Sequence, residues 1–135
     1  MYYTDENIKN VKLVAACDVR LDMLKEKTNG MDINLYSDFD DMLKNENPDI
    51  VDICTPTYMH KSMSIAALES GANVLCEKPM ALSVNDCKDV INAAEKSGKI
   101  FMAAHVVRFM NGYIYLRNII KSGKYGKLLR LDMKR

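Results

Sequence analysis

The sequence predicts an α/β fold built on a doubly wound parallel sheet. Three observations carry this. Residues 11–19 (VKLVAACDV), 50–56 (IVDICTP), 73–79 (NVLCEKP) and 100–106 (IFMAAHV) are short, nearly continuous apolar runs that end in polar residues. Runs without alternation suit strands covered on both faces, as in a parallel sheet. Helical patterns lie between the runs, and such strand–helix alternation builds βαβ units with right-handed crossovers. Glycine or proline closes most of the helical stretches, as expected at helix ends.

In chain order, 11–19 is the first strand. Leu21 to Asn29 reads as a helix with Gly30 past its end, and 33–37 (INLYS) as a weaker strand. Ser37 and Asp40 resemble a capping pair for a short helix carrying Phe39, Met42 and Leu43, stopped at Asn47-Pro48. After the 50s strand, Thr57 is placed to cap a helix over Tyr58 to Ser70 that ends at Gly71. Ser83 and Asp86 form a capping-box variant. They open a helix whose apolar face is Val84, Cys87, Val90, Ile91 and Ala94, with Gly98 beyond it. Asn111 to Ser122 reads as a further helix. The last stretch, KLLRLDMKR, alternates Leu129, Leu131 and Met133 with charged residues, the pattern of a half-exposed strand.

Composition excludes several classes. A chain of 135 residues, 48% hydrophobic and 27% charged, has enough apolar residues for one real core and reads as soluble and globular. A net charge of +1 argues against nucleic acid or an anionic membrane surface as partner. No apolar run approaches the roughly 18 residues of a membrane span. The opening MYYTDENIKN has no apolar signal-peptide core, so the expected compartment is the cytoplasm. Cys17, Cys54, Cys76 and Cys87 form no C-x-x-C pair and lack His60 or His105 at ligand spacing. They read as small core residues, and no metal site is expected.

Chemistry gathers at the ends of the apolar runs. Asp18 ends the first, where an acidic residue can accept hydrogen bonds from an adenosine ribose. A helix cap or charged strand end explains it as well. Arg20 could meet a 2′-phosphate or simply be solvated; Asp18 favours NAD, and Arg20 keeps NADP open. Thr55 and Pro56 turn the chain at the end of the next run, with His60 a few residues on. His60 reads equally as an exposed polar residue at a helix start. Glu77 and Lys78 follow, held by Pro79. Lys78 suits proton handling or substrate orientation, against the plain alternative of an exposed strand-end lysine. His105 and Arg108 come after the last run. Parallel strands bring their carboxyl ends to one rim, so this convergence weighs more than any single residue.

At CEKPMALS the chain resembles the glucose–fructose oxidoreductase/inositol dehydrogenase (Gfo/Idh/MocA) family of NAD(P)-dependent oxidoreductases. The resemblance runs through VKLVAACDVR, then PDIVDICTPTYMHKSMSIAALESGANVLCEKPMAL, then AAHVVRFMNGYIYLRNIIKSGKYGKL, nearly the whole chain in order. T-P-x-x-x-H, E-K-P and R-F at these spacings are far more specific together than apart. The resemblance implies a Rossmann-type sheet and a sugar- or polyol-type substrate exchanging hydride with nicotinamide. It implies that Asp18 holds the adenosine ribose, that Thr55, Pro56 and His60 line the cofactor cleft, and that Glu77 lies by the nicotinamide ribose. Lys78 would orient and polarise the reacting oxygen, and Arg108 would sit near the nicotinamide and substrate. Asn111 stands where the family usually has proline, which affects a local turn rather than chemistry.

Two family features have no counterpart here. The six glycines, Gly30, Gly71, Gly98, Gly112, Gly123 and Gly126, make no G-x-G-x-x-G cradle for a pyrophosphate. Residues 1–10 resemble the tail of the helix that follows that loop. The strand preceding the loop is central to the sheet, so the 11–19 and 50s strands are expected to lack their shared neighbour. The expected organisation is therefore a partial dinucleotide-binding domain over 1–108, with a connecting helix and the first strand of a truncated substrate domain over 109–135. The parent enzyme would be a homo-oligomer whose proton-accepting histidine lies in that domain. The expected function is a fragment of an NAD(P)-dependent dehydrogenase, weak in dinucleotide binding and catalytically incompetent alone. The alternatives are a non-catalytic dinucleotide-sensing or interaction module, motivated by an apolar edge strand at 129–133, and an unrelated doubly wound binding protein.

Overall fold

A computed structural model of the chain describes residues 10–133. The helix tail expected over 1–10 therefore falls almost wholly outside the described residues. The chain divides after Ala103 into two compact units. In the first, strands and helices alternate: β1 (Ala15–Cys17), α1 (Leu21–Lys27), β2 (Asn34–Tyr36), α2 (Phe39–Glu46), β3 (Ile50–Ile53), α3 (Thr57–Glu69), β4 (Asn73–Cys76), α4 (Val84–Ser97) and β5 (Phe101–Ala103). Every ladder is parallel. β1 pairs with β2, and β3–β4–β5 form a second sheet in that order. This is the Rossmann-like α/β arrangement that the alternation predicts. Among the described residues β1 and β3 share no ladder.

The strands are shorter than the apolar runs, because a parallel ladder extends only where both partners run side by side. Single bonds carry the pairing one step further: Asp18 N–H donates to Tyr36 O at 3.1 Å and Glu77 N–H to Ile53 O at 2.9 Å. Burial on both faces is not what β3 shows. Val51 and Ile53 are buried, whereas Ile50 is 62% exposed and Asp52 is exposed. The cause is topological. Successive right-handed crossovers from β3 to β4 to β5 put α3 and α4 on the same face. There the two helices pack together, tied by Lys61 Nζ at 2.7 Å from Asp86 and 2.6 Å from Asp89. The core joins Met42 and Leu43 of α2, Val51 and Ile53, Ala67 and Leu68 of α3, Val74 and Cys76, and Val90 of α4.

Helix ends follow cap chemistry, with two shifts of register. Asp38, not Ser37, caps α2, its Oδ1 accepting from Asp41 N–H at 2.9 Å. Thr57 is the first residue of α3 rather than its cap, and Pro56 at the cap position makes no side-chain bond. Ser83 caps α4 as predicted: its Oγ accepts from Asp86 N–H at 3.1 Å and donates to Asp86 Oδ2 at 2.7 Å. Gly98 ends α4 at φ +68°, the left-handed region that glycine enters without penalty. Val84, expected on the inner face of α4, is 72% exposed, while Val90 is fully buried.

The second unit holds a 3-10 helix (Val106–Phe109) and α5 (Asn111–Ser122). Asn111 is the first residue of α5, a position where proline loses no intrahelical bond. This explains why either residue serves there. The half-exposed strand expected near the end is absent among the described residues: 127–133 has no regular secondary structure, and Leu129 is 91% exposed. Alternation suits a strand, but a strand exists only with a partner ladder. No helix among the described residues is long and apolar enough to cross a membrane.

Candidate functional site

In the three-stranded sheet Ile53 pairs with Cys76. The chain leaves β3 through Cys54, Thr55 and Pro56, and leaves β4 through Glu77, Lys78 and Pro79. The two polar exits therefore lie side by side at the carboxyl rim. Glu77 is anchored by its N–H on Ile53 O and is half-buried, and its Oε2 accepts from Lys78 N–H at 3.0 Å. The Lys78–Pro79 peptide bond is cis. Lys78 itself is exposed. Thr55 Oγ1 lies 3.4 Å from Met63 Sδ, one turn further along α3 than His60.

His60 is the most constrained residue of this rim. It belongs to the first turn of α3 and is 1% exposed. Its Nδ1 is 2.7 Å from Pro79 O, and its Nε2 is 2.8 Å from Thr55 O. One imidazole thus bridges the exits of β3 and β4. Carbonyl oxygens only accept, so a neutral ring donates to one of them and a doubly protonated ring to both.

Asp18 directly follows β1, and Arg20 stands at the N-cap of α1. Asp18 Oδ1 accepts from Arg20 N–H at 2.8 Å and lies 3.4 Å from Arg20 Nε. These bonds, the backbone one first, hold the Asp18 carboxyl below its usual range. The carboxylate is 38% exposed, open to further donors. Arg108 lies in the 3-10 helix of the second unit and His105 just before it, both exposed.

Two features escaped the sequence reading. One is the Pro79 carbonyl, a backbone acceptor that no side-chain pattern announces. The other is Cys54, expected in the core but exposed, with Sγ 3.6 Å from Asp52 Oδ1. The alternation of β3 carries the signal, since Val51 and Ile53 face the core and their neighbours do not. Among the described residues no three His, Cys, Asp or Glu side chains gather as metal ligands. An open groove lined by Ile91, Ala94, Gly98 and Phe101 flanks the amino end of β5, the opposite end from this rim.

Residues 2–105 match the model of an oxidoreductase family with an NAD-binding Rossmann fold. The chain is 40% identical over 99 residues to 2,7-anhydro-N-acetylneuraminate hydratase of Mediterraneibacter gnavus, covering 73% of this chain and 26% of that protein. It is 32% identical over 126 residues to inositol 2-dehydrogenase of Salmonella typhimurium, covering 90% of this chain and 37% of that one. A crystal structure of scyllo-inositol dehydrogenase from Lactobacillus casei, with bound NAD(H) and scyllo-inositol, matches at TM-score 0.82 and 27% identity. The match covers 90% of this chain and 36% of that chain. The chain thus spans less than two-fifths of the length of these relatives.

Proposed function

The chain belongs to the Gfo/Idh/MocA oxidoreductase family, and we propose that its rim forms part of a site for hydride exchange between nicotinamide and a sugar- or polyol-type carbon. The observation that carries this reading is the side-by-side exit of Thr55–Pro56 and Glu77–Lys78, bridged by His60. Bound nicotinamide supplies the hydride-exchanging carbon. Lys78, exposed past the end of β4, donates a hydrogen bond from Nζ to the reacting oxygen and so orients it and stabilises developing negative charge. Glu77, fixed by its backbone bond to Ile53, accepts from the nicotinamide ribose. Asp18 accepts from the adenosine ribose.

The donor set fits a dinucleotide at its two riboses. The sequence has no G-x-G-x-x-G, so these residues by themselves lack the backbone cradle for a pyrophosphate. Asp18 also favours NAD over NADP. Its carboxylate would face a 2′-phosphate with like charge, and Arg20 already spends its Nε on that carboxylate. Calorimetric titration of the chain tests this. NAD is expected to bind more weakly than micromolar yet better than NADP, and Asp18→Ala to erase that preference. A preference that survives Asp18→Ala would overturn the assignment to Asp18, and micromolar binding would overturn the expectation of weak binding without the cradle.

The hydratase at 40% identity favours a second reading, a net hydration of an anhydro-sugar acid at the same rim. An assay of anhydro-sugar acids against polyols with NAD separates the two, because only polyol oxidation accumulates NADH. The interaction-module alternative rests on the exposed apolar residues Leu129, Leu131 and Met133, and sedimentation tests it: a monodisperse monomer would count against it.

A further inference from the structure

We propose that His60 is a positioning residue: it fixes the Lys78 turn to the Thr55 turn and thereby sets where Glu77 and Lys78 stand. The inference deepens the proposed function and rests on it for the role of the rim. Three observations carry it. The ring is 1% exposed, so it acts through its neighbours and not through solvent. Both ring nitrogens lie within 2.8 Å of a backbone carbonyl oxygen. Those carbonyls belong to the exits of two different strands, and each exit carries polar residues of the rim.

The backbone of these turns has few other holds. Past β4, Glu77 N–H reaches Ile53 O and Lys78 N–H reaches only its neighbour's side chain. Pro79 has no N–H to donate. Its carbonyl on His60 therefore anchors the far side of the Lys78 turn to α3, a helix held by Leu68 and Ala67 in the core. Thr55 O, on the other ring nitrogen, anchors the facing turn to the same helix when that nitrogen also carries a proton; a singly protonated ring bonds one turn and packs against the other. A side chain on one rigid element thus sets the spacing of two loops.

Asparagine and glutamine separate the two halves of this link. An asparagine amide nitrogen falls near the position of Nδ1, and a glutamine amide nitrogen near that of Nε2. Amide spectra and backbone order parameters of the 15N-labelled chain are the measurement. His60→Ala is expected to shift and loosen the amides on both sides, Thr57 and Tyr58 as well as Lys78 and Met80. His60→Asn should restore Lys78 and Met80 alone, and His60→Gln should restore Thr57 and Tyr58 alone. The proposal is overturned if Lys78 and Met80 keep wild-type values in His60→Ala, or if all three variants disturb both turns alike. Should His60→Ala fail to fold, the asparagine and glutamine pair carries the test, and loss of folding in both of them also overturns it.

NADH and ADP-ribose titrations, followed in the same spectra, separate this proposal from the function it rests on. If NADH leaves the Glu77 and Lys78 amides unmoved in the wild type, the nicotinamide-side role falls while the turn measurements still decide the link. If NADH does bind there, His60→Gln is expected to weaken it at least about fivefold, with ADP-ribose, which lacks nicotinamide, changed no more than about twofold. Equal losses for both ligands would mark a merely structural residue and overturn the proposal.

Discussion

Cys54 stands one residue past β3, exposed, with Sγ 3.6 Å from Asp52 Oδ1. Desolvation of the sulfur, then the Asp52 carboxylate, pushes its thiol up to about 11. The thiolate is the nucleophile, so at neutral pH this accessible cysteine is a poor one despite its position beside Glu77. Alkylation by iodoacetamide, read by peptide mapping, should rise with pH through 9 and level off only near 11. A plateau near 9 would show that neither burial nor Asp52 raises it. Exposure of Cys54 was hidden from sequence reading because its apolar run looks buried throughout. Only the alternation created by one-sided helix packing reveals it. Asp18, Thr55, Glu77 and Lys78 were legible for the opposite reason. A polar residue that ends an apolar run marks where a strand leaves the sheet, whatever covers its faces.

At the scale of elements, cap positions decide where helices begin, and they discriminate between neighbouring residues. Asp38 satisfies the Asp41 amide of α2, whereas Ser37 beside it makes no cap bond. Ser83 satisfies the Asp86 amide of α4 and also donates to the Asp86 carboxylate. Thermal melts should show Asp38→Ala and Ser83→Ala each costing about 1 kcal/mol, and Ser37→Ala no more than about 0.5 kcal/mol. A Ser37→Ala loss equal to that of Asp38→Ala would refute the observed register. The Ser83 box was legible because serine and an acidic residue stand at the right spacing ahead of a periodic apolar face. At Ser37–Asp38 two good caps are adjacent, and sequence alone cannot choose between them. The alternating tail at 127–133 failed as a strand because pairing is a property of two segments, and no pattern within one of them supplies the partner.

At the scale of the first unit, the two sheets differ in what holds them. Val51, Ile53, Val74 and Cys76 of β3 and β4 are each at most 5% exposed. Burial is worth about 1.5–3 kcal/mol for a valine or isoleucine side chain, and β4 is paired along both edges. In β1 and β2 no residue is fully buried, and each strand is paired along one edge among the described residues. The β1–β2 pair, which carries Asp18, should therefore open before the sheet that carries Glu77 and Lys78, since local opening follows buried contacts and pairing. Native-state hydrogen exchange can read this from four amides with defined acceptors. Val74 N–H donates to Ile100 O and Glu77 N–H to Ile53 O, while Asp18 N–H donates to Tyr36 O and Asn34 N–H to Val14 O. The first two should exchange at least about tenfold more slowly than the last two, a gap of about 1.4 kcal/mol. The same protection at all four amides would mean that both sheets open as one cooperative unit. The proposed adenosine-side and nicotinamide-side residues would then share a single stability. A measured gap would instead predict that a ligand bridging both riboses raises protection at Asp18 and Asn34 more than at Val74, because binding stabilises most the segment that opens most easily without it.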